Sequence, residues 1–393
     1  MERSIKVFLL VCIILFIPTG CKDMKEVDRI TFPVVLGIDW DEEYNRIKIC
    51  AQVSTLSAQS GGESPSGTKY NVLEGEGKTL KEAMDNIIDH AQQYISWKQL
   101  IAVVFTDKMA KRGIIRELDV LSRNEQIHLN SYLIITTDSL RDLLGTSPVI
   151  ETGLPTAIVG VGLISEQSTH SKAVTMKDFI AASLNNEIEP VLPQIAIYRK
   201  ENAQKDAKNE LDYRGLGVFK KDRLVGWLNE KETIALLFVS GIQNQGSFTL
   251  LQTESNGDGE ITVSEHTTKT KYIPYIKNNA VGMLLTISAE YDIYSYITTH
   301  KIDIAEVDKI NNMVATHIKK QVESLINKAQ HELNSDILGF GGKIYRKYPK
   351  YWQENKAHWP EIFPDIDVMV EVEAKLRDTG ELTNSFKYQQ EKD

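Results

Sequence analysis

Hydrophobic positions recur along this chain with two periods, two and three-to-four, and the switches between them mark out its elements. Phe32–Trp40 and Arg46–Leu56 read as two strands with a hairpin loop at Asp41–Asn45; Ile47, Ile49 and Ala51 alternate with polar neighbours. Ser57–Gly67, SAQSGGESPSG, has the composition of a flexible loop, and Tyr70–Glu74 reads as a strand. Across Thr79–Tyr94, the residues Leu80, Ala83, Met84, Ile87, Ile88 and Ala91 keep the spacing of one buried helix face. Leu100–Thr106 predicts a strand, Lys108–Ser122 a helix and Ser131–Thr137 a strand, with Asp138 placed to cap a short helix through Leu144. Residues 70–144 thus alternate strand and helix, as in a mixed α/β layer. Gly145–Gly162 is rich in Gly, Pro and Thr and makes a poor core segment. Thr175–Leu184 predicts a helix and Val191–Tyr198 a strand, followed by a charged connector, Arg199–Asn209, where a domain boundary is expected.

The second half opens with GLGVFKKDRLVGWLN, Gly215–Asn229, which reads as two short strands around a Lys-Lys-Asp-Arg turn, then a helix from Glu230. Ser247–Thr253 and Glu260–Thr270 suggest a hairpin, and Val281–Tyr296 a long strand. Ile304–Asn334 carries Val307, Ile310, Val314, Ile318, Val322, Leu325, Ala329 and Leu333 along one helical stripe. In Asp367–Leu376, Val368, Val370, Val372 and Ala374 share one strand face. The expected fold class is α+β, multi-domain, with mixed sheets and packed helices. Residues 31–209 form an N-terminal α/β region, expected as two subdomains near 31–145 and 146–209. Residues 210–393 form a C-terminal α+β domain with a mostly antiparallel sheet under one long helix.

The first twenty residues follow a different logic. Arg3 and Lys6 precede an unbroken apolar run, Val7–Ile17. Its length suits a signal peptide and falls short of the roughly 20 residues that span a bilayer. Pro18-Thr19-Gly20-Cys21 follows and resembles a bacterial lipobox, although Pro18 stands where that pattern usually has Leu. The expectation is a signal peptide at 1–20 and a lipidated tether at 21–30, with Cys21 carrying an S-diacylglycerol and an N-palmitoyl group. Each buried CH₂ of such an anchor contributes about 0.8 kcal/mol.

Composition narrows the function. The chain has 393 residues, 42% hydrophobic and 25% charged, which is ordinary for folded domains. Its formal charge is -9, and Glu2, Arg3 and Lys6 leave about -10 on residues 21–393. That balance argues against nucleic acid as a partner and against a polybasic grip on anionic lipid. Of the three cysteines, Cys12 falls in the signal segment and Cys21 in the lipobox, which leaves Cys50 with no intramolecular partner.

Several constellations bear on chemistry. Glu254, Asn256, Asp258, Gly259, Ile261 and Glu265 fall at EF-hand spacings, but strands are expected to flank them, which favours a β-hairpin turn over a calcium loop. Gly339-Phe340-Gly341-Gly342 follows the long helix, and glycine there reads as a helix terminator rather than a phosphate loop. Eight scattered histidines form no H-E-x-x-H, and no G-x-S-x-G occurs, which leaves only a site assembled from distant residues. His317, beside Lys319 and Lys320, is expected on a solvated helix face. No catalytic, cofactor-binding or metal-binding residue is expected. Tyr345–Trp359, YRKYPKYWQENKAHW, interleaves Tyr345, Tyr348, Tyr351, Trp352 and Trp359 with Arg346, Lys347, Lys350 and Lys356. Packing as a structural cap is the first expectation for it and a protein-contact surface the second. Pro349 and Pro360 suggest an irregular wrapped segment.

Taken in order, these segments resemble the Ger(x)C family, lipoprotein C subunits of spore nutrient germinant receptors. Gly20-Cys21-Lys22-Asp23 with Glu26-Val27 is similar to the family's Gly-Cys-Trp-Asp followed by Glu-Ile, with Lys22 in place of Trp. Val35-Leu36-Gly37-Ile38-Asp39 resembles its first strand. GLGVFKKDRLVGWLN and Asp336-Ile337-Leu338-Gly339-Phe340-Gly341, leading to Tyr348-Pro349-Lys350, Trp352 and Trp359, resemble its later motifs. The resemblance implies a non-enzymatic subunit of three mixed α/β domains. It would be held by lipid on Cys21 at the outer face of the spore inner membrane, and would work there with membrane A and B subunits in nutrient-triggered germination. A lipid-anchored extracellular solute-binding protein is the alternative, against which the antiparallel second half argues.

Overall fold

A computed structural model of the chain describes residues 30–55, 69–91, 94–146, 172–198, 210–241, 247–254, 257–278, 280–297 and 303–378. After β1 (Ile30–Thr31), the strands β2 (Pro33–Asp41) and β3 (Arg46–Thr55) form the expected hairpin, Leu36 opposite Ala51 and Ile38 opposite Ile49. β4 (Lys69–Gly77) extends it antiparallel; the loop expected at Ser57–Gly67 lies outside the described residues. Helix α1 (Leu80–Ala91) buries Leu80, Ala83, Met84 and Ile87. It stops short of Tyr94, because Tyr94–Ile95 is a strand, β5, paired with β1.

β6 (Ala102–Thr106) lies parallel to β2. The single helix expected over Lys108–Ser122 is two, α2 (Asp107–Arg112) and α3 (Ile115–Ser122). Gly113 separates them at φ 110, a conformation that glycine alone adopts freely. β7 (Tyr132–Thr136) continues the parallel run. Asp138 does not cap α4 (Leu140–Leu144); its carboxylate instead accepts the Ile197 amide at 2.7 Å. α5 (Met176–Leu184) starts in a capping box of Thr175 and Asp178 and leads to β8 (Val191–Tyr198).

Beyond the connector at 199–209, which is outside the described residues, β9 (Glu210–Lys220) and β10 (Arg223–Leu228) return antiparallel to β8. One eight-stranded sheet therefore runs β10-β9-β8-β7-β6-β2-β3-β4. Strand pairing crosses the position where the sequence suggests a boundary. The period of two gives β9 a double allegiance. Phe219 packs into the core of the first region, while Leu216 and Val218 pack into the core of the second.

α6 (Glu230–Ser240) is capped by Asn229 and Glu232 and ends at Gly241, φ 66. The second sheet comprises β11 (Ser247–Glu254), β12 (Gly257–Lys277), β13 (Ala280–Ile297) and β14 (Asp367–Asp378). Its pairings are antiparallel except β13–β14, which is parallel. α7 (Ile304–Asn327) covers it with Ile310, Val314, Ile318, Val322 and Leu325, all buried. The stripe continues to Glu332 in a wider π turn, where Gln330 donates to the carbonyls of Phe363 and Ile366. Short helices α8 (Phe340–Lys347), α9 (Pro349–Asn355) and α10 (Trp359–Ile362) close the end of the sheet. Among the described residues no helix is long and apolar enough to cross a membrane.

Candidate functional site

The carboxyl ends of parallel strands β2, β6 and β7 open into a cleft of about 970 Å³. Such edges are where α/β sheets commonly receive ligands, because the loops there diverge. Asp39 comes from β2, Thr106 from the end of β6, and Thr137, Asp138 and Ser139 from the turn after β7. Lys48 and Cys50 on β3, Glu74 and Glu76 on β4, and Arg141 on α4 complete the wall. Thr106 donates its hydroxyl to Asp39 Oδ1, which also accepts the Trp40 amide at 2.8 Å. Most charges here are already matched: Lys48 with Asp41 at 2.5 Å, Arg141 with Glu74 at 3.2 Å, and Arg46 with Glu76.

Burial, followed by the nearby carboxylates of Glu74 and Asp39, pushes the Cys50 thiol up to about 12. It is therefore protonated at neutral pH and is no nucleophile. Among the described residues no three His, Cys, Asp or Glu side chains gather where they could hold a metal ion. The cleft has the groups to bind a small polar molecule.

A second cluster is built by the segments that carry the resemblance. Asp336 is buried, yet its carboxylate accepts the Phe340 amide at 3.0 Å and the Gly341 amide at 2.8 Å. Trp359 Nε1 donates to the same oxygen as Gly341, at 3.1 Å. The first turn of α8 thus does bind an anion, but the anion is a side chain of this chain. Gly339 takes φ 71 ahead of α8, so it opens that helix rather than closing the long one. Burial pushes the Asp336 carboxyl up to about 6 against the pull of its donors.

The Asp336 carbonyl accepts the Glu189 amide at 2.9 Å, and Gly342 donates to the Glu187 carbonyl at 2.9 Å. Lys221, at φ 58 in the β9–β10 turn, holds the same stretch: its amide donates to Glu189 at 2.5 Å and its ammonium to the Asn185 carbonyl at 3.1 Å. Next to it, the Asp222 carbonyl accepts the Ile114 amide at 3.1 Å and its carboxylate the Ile115 amide at 3.3 Å, at the start of α3. The two most distinctive motifs therefore meet at residues 185–189 and fasten the first sheet to the second.

The remaining sequence candidates divide. Cys21 lies outside the described residues. The EF-hand spacing falls on the β11–β12 ladder, with Glu254 opposite Gly257 and Leu250 opposite Ile261, so the hairpin reading holds; Asn256 is outside the described residues. His317 is only partly solvated: it stacks on Phe248 with ring centroids 4.8 Å apart, and burial lowers its pKa. Trp352 and Trp359 are buried edge-to-face at 5.1 Å, as a cap requires. Pro349 and Pro360 start helices rather than interrupt them. Sequence reasoning missed the cleft, and it met Asp336 only as the first residue of a motif, without the role its carboxylate plays.

The family described as "Spore germination protein N-terminal domain" matches residues 23–197, and the one described as "Spore germination B3/ GerAC like, C-terminal" matches residues 214–380. The chain belongs to the Ger(x)C family. Among Ger(x)C relatives, spore germination protein KC of Bacillus subtilis (strain 168) is 24% identical over 99% of both chains. Spore germination protein B3 of the same organism is 23% identical over 92% of this chain and 94% of its own. The crystal structure of the GerBC protein superposes with a TM-score of 0.57 at 17% identity, over 87% of this chain and 96% of that one, and so shares its fold. The relatives are spore germination proteins, and the Ger(x)C family is not a known family of enzymes.

Proposed function

We propose that the protein is the lipid-anchored C subunit of a spore germinant receptor, acting in nutrient-triggered germination by assembling with membrane A and B subunits. The observation that carries this reading is the pair of family matches, which together take in most of the chain and begin at residue 23, two positions after Cys21. In this reading residues 1–20 are removed and Cys21 carries the acyl groups. The globular part then stands on the outer face of the spore inner membrane, with no chemistry of its own. The test is a Cys21→Ala strain lacking redundant receptors. The protein is expected to leave the membrane fraction, and the response to at least one nutrient to fall. Normal germination with a soluble protein would overturn the reading. Co-purification of the wild-type protein from spore membranes tests the partners.

The cleft supports a second reading, a lipid-anchored extracellular solute-binding protein. Its mark is saturable binding of a small polar solute, measured by calorimetry and weakened by Arg141→Ala. Full germination in the deletion strain together with such binding would favour it.

A further inference from the structure

The charge of the whole chain is an average, and one surface departs from it. Residues 343–356 hold Lys343, Arg346, Lys347, Lys350 and Lys356 against the single acid Glu354, a net +4 within a chain of -9. Elsewhere many described cations are neutralised, among them Arg46, Lys48, Arg141, Lys328 and Arg377. Among the described residues, none of the five on this segment forms an ion pair. Lys343 lies over the Tyr272 ring at 4.0 Å, and Lys347 donates to the Pro274 carbonyl at 2.7 Å. Arg346, Lys347, Lys350 and Lys356 are exposed, so their charge faces outward.

The fold sets apolar groups beside that charge. Tyr272, Pro274 and Ile276 share one face of β12. α8 meets the first two, with Tyr348 also reaching the Pro274 carbonyl at 3.4 Å. Ile276 stands at the rim past that contact, 39% exposed, next to exposed Lys277. Tyr345 on α8 is 38% exposed. The support beneath is rigid, because Trp352, Trp359 and the Asp336 clasp anchor α8 to α10.

We propose that this rim, the exposed side of α8, the start of α9 and the β12–β13 turn, rests on an anionic lipid surface. Arg346, Lys347, Lys350 and Lys277 meet headgroup phosphates, and Ile276 and Tyr345 enter the acyl boundary. Charge complementarity selects the partner. An acidic protein would satisfy the cations alone, whereas a lipid surface also takes the two exposed apolar groups beside them, Ile276 and Tyr345. The contact is independent of how Cys21 is modified, and it would fix which side of the molecule faces the bilayer.

The experiment mixes the full chain with vesicles of phosphatidylcholine alone or with added phosphatidylglycerol, and reads lysine acetylation rates by mass spectrometry. Lys277 and Lys350 are expected to acetylate at least about fivefold more slowly on the anionic vesicles, while Lys81 on α1 is unchanged. High salt should restore the rate. Arg346→Glu with Lys350→Glu should abolish protection at Lys277, with unchanged far-UV circular dichroism. Equal rates on both vesicles overturn the proposal. So does protection by soluble poly-glutamate without protection by vesicles, which would assign the surface to an acidic protein.

Discussion

At the scale of single residues, two buried carboxylates stand out for opposite reasons. Asp336 has three donors, and Oδ2 receives two of them, from Gly341 and Trp359. An asparagine could present one oxygen, but its NH₂ would then face N–H donors. Asp336→Asn should therefore cost about 2–4 kcal/mol, seen as a lower urea midpoint. Glu265 has only the Thr268 hydroxyl, at a bulge in β12, and burial pushes its carboxyl up from 4.5 to about 7. A raised folded-state pKa means that the folded protein holds the proton more tightly. The stability this provides is complete below about pH 4.5 and is lost as the pH rises through about 7. Glu265→Gln should thus stabilise the protein by about 1–3 kcal/mol at pH 8.5 and by close to nothing at pH 4, measured by urea denaturation at both.

At the scale of elements, the β9–β10 hairpin shows how a motif works through its backbone. Gly215 sits at φ 113, and a Cβ there would fall 2.0 Å from the Leu228 carbonyl oxygen. Gly215→Ala should cost more than about 3 kcal/mol or prevent accumulation of folded protein, as thermal unfolding would report. The Asp222 carboxylate gives the Ile115 amide at the start of α3 the side-chain acceptor that Ile114 cannot provide. Asp222→Ala should cost about 1–2 kcal/mol, read from the same transition. Helix periodicity was legible for α1 and α7, which bury most of the stripe their spacing predicts, though Ile88 on α1 is 38% exposed. At the Gly113 break the Asp222 carboxylate stands 2.6 Å from where a Cβ would lie, a contact with a residue over a hundred positions away that no linear pattern shows.

At the scale of the whole molecule, β8, β9 and β10 act as a shared wall. Phe219 and Leu224 complete the first core, while Leu216, Val218 and Leu228 belong to the second. A chain ending at residue 209 would lack both core contributions and leave β8 without its β9 partner. It should bind a hydrophobic dye and lose cooperative unfolding, whereas the full chain should unfold in a sharp transition. The cleft is also a property of this scale. Asp39, Thr106 and Asp138 come from three strands that only the order of the sheet makes neighbours.

By itself the sequence determined the element periods, the mostly antiparallel second sheet under its long helix, and the family, because local periodicity and motif order survive without coordinates. It also carried the expectation for Cys21, which depends on a short linear signal. Tertiary structure alone decided that strand pairing crosses residues 199–209, that Asp336 occupies the glycine-rich turn, and that the cleft opens at the β2, β6 and β7 ends. Each of these depends on groups far apart in the chain meeting where water is excluded, and a linear pattern does not encode which buried donor will face which acceptor.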